Sequence, residues 1–193
     1  GITGMALVTA ASSNIPILDC DATGRAVPCM DQTTFNIANI DACPVSIATT
    51  HEESIIIEHT PNSDRLEKLL RSVAITSGNI ASTFNPIEGK LLHGAVIPSA
   101  LTVCEKIGAA QREAIEMGYD PISSIISAGD GYLLFRGIVN NDTAWETKNG
   151  FTTGSVYMDG YAEFEGERYK LWYQNEHLVS WKNGRPWVSC PDL

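Results

Sequence analysis

The residues with the plainest chemical potential lie close together in Asp19-Cys20-Asp21-Ala22-Thr23-Gly24-Arg25. Two carboxylates and a guanidinium in so short a stretch can hold a divalent metal, polarise a carbonyl or move a proton. The same residues also make an ordinary loop, with the aspartates capping backbone N–H groups and Arg25 paired to one of them. Spacing alone leaves both readings open. Cys20 reads either as a nucleophile or as a small buried hydrophobe, and the second is the default for an isolated cysteine. His51-Glu52-Glu53 carries ligand-type residues without a recognisable metal spacing, so it reads as a polar turn. His59, at the exit of an isoleucine-rich run, reads the same way. Ser77-Gly78-Asn79 offers backbone N–H groups to an anion, but one glycine is all that supports this. Far along the chain, Glu176 and His177 are neighbours in a strand and point to opposite faces of it if the strand is regular. Glu176 is either a group facing a cleft or a cross-strand partner. His177 reads as structural.

These side chains need elements to hold them. Ile15-Pro16-Ile17-Leu18 is a continuous apolar run, the pattern of a strand buried on both faces, here over 15–19. In an open α/β sheet, ligands sit beyond the carboxyl ends of the strands, which is where Asp19, Asp21 and Arg25 would stand. The spacing predicts helices over 3–13, Asp31–Ala38 and from Asn62 or Ser63 to about Val73, the last with a Leu66, Leu69, Leu70, Val73 stripe. It also predicts a long helix from Ser99 to Met117, stopped by Gly118, and a short one from Pro121 to Gly129. Strands are expected at Val45–Thr49 and Ser54–Glu58. At Gly129-Asp130-Gly131 the pattern changes to strands and turns, over 132–139, 143–148, 151–158, 161–164, 168–175, 177–182 and 186–190. Asp159-Gly160 and Asn183-Gly184 are hairpin signals. The expected fold is α+β overall: an α/β layered domain over 1–129, followed by a mainly-β domain over 130–193.

The chain has 193 residues, 13 Lys+Arg against 23 Asp+Glu, and a formal net charge of −10. That balance argues against nucleic acid or an anionic membrane as the main partner, since both need a basic face. No apolar run approaches the ~20 residues of a membrane helix. No N-terminal secretion signal is recognisable. The chain begins with Gly1-Ile2-Thr3-Gly4 rather than methionine and reads as an interior stretch. Its 5 cysteines form no C-x-x-C pair, which leaves zinc-ribbon and thioredoxin-like readings unsupported and points to free thiols in a reducing cytoplasm. G-x-S-x-G, P-loop and G-x-G-x-x-G patterns are absent.

Three pieces together resemble one family. Asp19-Cys20-Asp21-Ala22-Thr23-Gly24-Arg25-Ala26-Val27-Pro28 is similar to its D-x-D-x-M-G-R-A-x-P signature. Tyr173-Gln174-Asn175-Glu176-His177-Leu178 is similar to its F-Q-N-E-x-L strand, and Pro191-Asp192-Leu193 to the P-D-L that follows. The helix over 97–109 fits a small-residue helix ending in I-G-x-A. The family is that of S-methyl thiohydantoin desulfurase, which is hydantoinase-related. The sequence departs from it at Thr23, where methionine is usual, and at Cys29, where glutamate is usual. The second departure withdraws any role that needs a carboxylate at Cys29.

The resemblance implies an α/β domain followed by a mainly-β domain, and further polypeptide on both sides of this chain. It implies hydrolysis of a small hydantoin-like ring, with water displacing a thiol from an S-methylated thiohydantoin. Within that chemistry Asp21 is the expected general base or metal ligand, and Asp19 a ligand or orienting acid. Arg25 would hold a ring oxygen or pair with Asp19. Glu176 would reach the cleft, with Asp192 a turn residue near it. A divalent metal is a candidate cofactor, but two aspartates do not select among zinc, magnesium and manganese. The expected partner is a cyclic amide or thiohydantoin, with a homo-oligomer as a candidate state. The alternative is a non-catalytic binding or assembly subunit of a hydantoinase-like complex.

Overall fold

The computed structural model describes residues 2–190, without the side chain of Ile2. Asp192 lies outside the described residues. The chain divides into two compact units, one of residues 1–24 and 96–132, the other of residues 25–95 and 133–193. The second unit therefore takes chain from both sides of the change in patterning at 129–131, and the first ends there. No helix among the described residues is long and apolar enough to cross a membrane.

The first unit is mostly helical. α1 (Ile2–Ser13) is apolar on every side, and Met5, Leu7 and Val8 are all exposed. The expected strand over 15–19 does not form. Ile15 and Leu18 are exposed, and pairing begins only at β1 (Cys20–Asp21), which lies antiparallel to β5 (Ile97–Pro98) with Cys20 opposite Pro98 and Asp21 opposite Ile97. A strand buried on both faces needs covered faces and neighbours, and the described residues supply one two-residue partner here. α5 (Ala100–Met117) and α6 (Pro121–Ala128) follow. Gly118 ends α5, and Asp120 caps α6 by accepting from Ile122 N and Ser123 N.

The second unit holds two sheets. In the first, β2 (Val45–Thr49) lies between β3 (Ser54–Ile57) and β4 (Ile80–Thr83), all antiparallel. The alternating side chains of β2 bury Val45 and Ile47 on one face. That face meets α3 (Ser63–Ser77), whose leucine stripe brings Leu66 and Leu70 into the same core with Cys43. Asn62 caps α3 by accepting from Arg65 N at 2.9 Å. Two single-turn helices, α2 (Thr34–Ile37) and α4 (Gly89–Leu92), complete this part. Only α2 and a 3-10 turn at Met30–Gln32 stand where a longer helix over 31–38 was expected, because Thr33 interrupts the run and caps α2 through Asn36 N.

The second sheet runs β11–β10–β9–β8–β6, with β7 also on β8. Its strands are β6 (Gly137–Val139), β7 (Ala144–Lys148), β8 (Phe151–Gly160), β9 (Arg168–Gln174), β10 (Glu176–Lys182) and β11 (Arg185–Ser189). The Asn183-Gly184 turn joins β10 to β11, as the sequence predicts, and the Asn149-Gly150 turn joins β7 to β8. Asp159-Gly160 is not a hairpin turn. Both residues lie inside β8, opposite Arg168 and Gly137 respectively, and 161–164 holds a 3-10 turn at Ala162–Phe164 in place of a strand. Glycine is needed at 160 because a Cβ there would lie 2.0 Å from the Phe164 carbonyl oxygen. The fold is α+β with a mainly-β C-terminal part. All strand pairs among the described residues are antiparallel, so the carboxyl-end rule of parallel sheets does not locate a site here.

Candidate functional site

The two aspartates of the signature lie in the first unit, and backbone groups claim both. Asp19 Oδ1 accepts from Leu101 N at 2.8 Å and Thr102 N at 3.1 Å, and Oδ2 accepts from the Thr102 hydroxyl. This carboxylate, just before β1, caps α5 from far along the chain, in place of the residue before the helix, since Ser99 adopts a left-handed conformation and makes no cap. The Thr102 hydroxyl, with the Thr102 N–H, lowers the Asp19 pKa below the usual carboxylate range. Asp21 Oδ1 accepts from Thr23 N at 2.9 Å and Gly24 N at 2.6 Å, an Asx turn. Gly24 sits at φ +65, and a Cβ there would press on Ile97 at 3.1 Å. The glycine of the signature therefore shapes this turn.

Arg25 and Glu176 lie in the second unit, and there the polar accounting is different. Arg25 Nη1, Glu176 Oε2 and His177 Nε2 are buried atoms without a hydrogen-bond partner. A buried polar atom left unpaired costs about 1–3 kcal/mol, so each of these is expensive. The Arg25 charge acts on His177: burial first, and Arg25 second, push the imidazole pKa below its ordinary value, partly offset by a hydrogen bond to the Val179 backbone. On its other side His177 Nδ1 stands 3.6 Å from Cys190 Sγ. The second and first motifs meet again at Gln174, whose Nε2 donates to Cys29 Sγ at 3.8 Å.

The loop at 25–30 is fixed to the sheet by one guanidinium. Arg71 Nη2 donates to the Pro28 carbonyl at 2.7 Å and Nη1 to the Gly150 carbonyl at 3.0 Å, while the guanidinium lies 3.6 Å over the Phe151 ring. Glu67 pairs with Arg71 and accepts from Met30 N at 2.8 Å. Beside this anchor is an apolar hollow of about 310 Å³ lined by Pro28, Cys29, Met30, Leu70, Arg71 and Phe84 among others. It does not include Arg25, Glu176 or His177. Burial, then the Glu67 charge, raises the Cys29 pKa and keeps its thiol protonated at neutral pH.

Among the described residues, no three His, Cys, Asp or Glu side chains converge as a metal set would. With Asp19 spent on α5, a divalent ion finds no ready cage at the signature. Sequence reading missed Arg71, Gln174 and Cys190, and it read His177 as structural. Gln174 lies in the Q-N-E motif and Cys190 just before Pro191, which could have signalled them, whereas nothing in the chain marked Arg71.

Comparison with known proteins bears on the whole chain. Residues 1–59 match the S-Me-THD-like N-terminal domain and residues 61–193 the S-Me-THD-like C-terminal domain. The crystal structure of a protein from Chromobacterium violaceum superposes with a TM-score of 0.71 at 19% identity, covering 94% of this chain and 49% of that one. The chain thus spans about half the length of that protein, and at this identity the likeness establishes the fold alone. No curated protein matches. With both domain patterns matched in order and the signature residues in place, the chain belongs to the S-Me-THD-like family.

Proposed function

We propose that this protein hydrolyses a small hydantoin-like ring in the cytoplasm, with water displacing the thiol of an S-methyl thiohydantoin. The observation that carries this is the unspent hydrogen-bonding capacity of Arg25 Nη1 and Glu176 Oε2 in a family of hydantoin-related character. A hydantoin-like ring alternates carbonyl acceptors with N–H donors. Arg25 donates to a ring oxygen and stabilises charge that develops there. Glu176 accepts from a ring N–H and fixes the ring's orientation. Asp21 commits Oδ1 to its turn, and its second oxygen is offered as an acid–base group. Asp19 holds β1 against the start of α5 and so sets where Asp21 stands. The free cysteines agree with a reducing compartment.

The test is thiol release from an S-methylated thiohydantoin by the whole protein, wild type beside Asp21→Asn and Arg25→Gln, with and without a chelator. Asn can form the same Asx turn, so Asp21→Asn is expected to fold normally and to lose turnover. Full activity in that variant removes Asp21 from the chemistry. A second reading, an assembly subunit without turnover, is favoured by the exposed apolar side chains of the first unit, Met5, Val8, Ile15 and Leu18 among them. It predicts no release from any variant and a stable partner retained through purification.

A further inference from the structure

His177 combines a held nitrogen with a bare one. Its Nδ1 lies 3.6 Å from Cys190 Sγ, while its Nε2 is buried and has no hydrogen-bond partner. Cys190 is itself fixed: its backbone N–H donates to the Leu178 carbonyl at 2.6 Å, so the thiol is pinned beside β10. The β9–β10 register slips between His177 and Val179, an irregularity of the kind that re-aims a side chain near a site. His177 faces Tyr173 across the ladder, stands next to Glu176 on its own strand, and feels the Arg25 charge from the 25–30 loop. Burial and that charge oppose protonation against the Val179 backbone bond that favours it, which holds the imidazole toward its neutral form, and with the proton on the Nδ1 that faces Cys190 the lone pair lies on Nε2.

We propose that His177 Nε2 is the general base that activates the hydrolytic water, and that Cys190, through Nδ1, is the positioning residue that aims it. The inference rests on the hydrolase reading given above and names the group that takes the proton of the attacking water, a step that reading does not assign. A ring nitrogen held by its neighbour, with the opposite nitrogen free, is the arrangement general-base catalysis needs. The water oxygen bonds to the ring carbon that bears the methylthio group, and one water proton passes to Nε2. The ring C=N becomes C–NH, taking the second water proton. The oxygen that water delivered then closes to a ring C=O as the C–S bond breaks, and the departing sulfur takes the proton from Nε2 and leaves as methanethiol. Nothing is oxidised or reduced, and water is the only co-reactant. Arg25 Nη1 is available to the negative charge that builds on the ring during attack. His177 fills the variable position of the F-Q-N-E-x-L resemblance, so this base belongs to the present chain and not to the family signature.

The experiment compares the whole wild-type protein with His177→Asn, using an S-methylated thiohydantoin as the probe and methanethiol release as the signal. The Asn side-chain nitrogen stands where Nδ1 stood and keeps the contact with Cys190, but nothing replaces Nε2. The expected result is a fall in kcat of about 100-fold or more with KM changed less than about threefold. The acid limb of the wild-type kcat/KM profile is expected to vanish in the variant, and added imidazole to restore part of the turnover. Cys190→Ala is expected to shift that acid limb and to cost less than about tenfold in kcat. Equal release from wild type and His177→Asn overturns the base and leaves the hydrolase reading standing. No release from wild type overturns both. A loss in His177→Asn with the acid limb intact and no imidazole rescue assigns His177 a structural role and overturns the proposal.

Discussion

The two compact units are unsatisfied in opposite ways. The unit of residues 25–95 and 133–193 has a closed apolar core, with Val45, Ile47, Leu66 and Leu70 buried together, and leaves polar valence unspent at Arg25, Glu176 and His177. The unit of residues 1–24 and 96–132 has its signature carboxylates engaged by backbone N–H groups, but among its described residues Ala114 alone is a buried apolar side chain. Met5, Val8, Ile15, Leu18, Ile115 and Tyr119 all stand in solvent there. A helix apolar on every side is normally a buried one. The contrast teaches where each kind of work belongs: spare hydrogen-bonding capacity suits a small polar ligand, and spare apolar surface suits more protein.

The sharpest way to break this contrast is to remove its best-buried side chain. Leu66→Ala is expected to cost about 2–5 kcal/mol in chemical denaturation, because the β2–α3 core is closed and cannot collapse into the gap. Next is Arg71→Ala, which removes the anchor of the 25–30 loop and leaves Glu67 unpaired. About 2–4 kcal/mol is expected, with Arg71→Lys recovering only part, since lysine cannot fork between two carbonyls.

Two titrations sharpen the polar side. The depressed His177 pKa means the unfolded chain protonates first as pH falls. Its contribution is therefore present above about pH 6.5 and lost as pH drops through the lower folded value. A thermal melt series in which His177→Asn matches the wild-type slope over that range would show that His177 is not shifted. Asp19 acts lower. Its stabilisation is present above the ordinary carboxylate pKa and lost as pH falls through the depressed folded value, and Asp19→Asn should flatten that limb of the melting curve. The smallest effect is expected in the first unit, where Met5→Ser and Val8→Ser should change stability by no more than about 0.5 kcal/mol in this chain. A loss there as large as that of Leu66→Ala would end the comparison.

Legibility followed the range of the forces involved. α3 and α5 were readable because their stripes and stops are local, as is the Asn62 cap of α3, with Asn62, Gly118 and the leucines all within a few turns. The Asn-Gly hairpins were readable for the same reason, because positive φ is a property of those residue types. Ile15–Leu18 misled because an apolar run predicts burial, and burial depends on what else is present to cover it. Asp159-Gly160 misled because glycine answers two demands, a turn or a close approach, and Phe164 supplied the second.

For the site, the sequence by itself determined the residue types and the family: the D-x-D-to-P signature, the Q-N-E strand and their order along the chain. It could not decide which of those residues were already spent. Only tertiary structure gave Asp19 to the start of α5, 82 residues away, and put the thiol of Cys190 on one side of an imidazole whose other nitrogen has no partner. A carboxylate's chemistry is set by whether donors reach it, and donors arrive from segments whose distance along the chain says nothing about their distance in space.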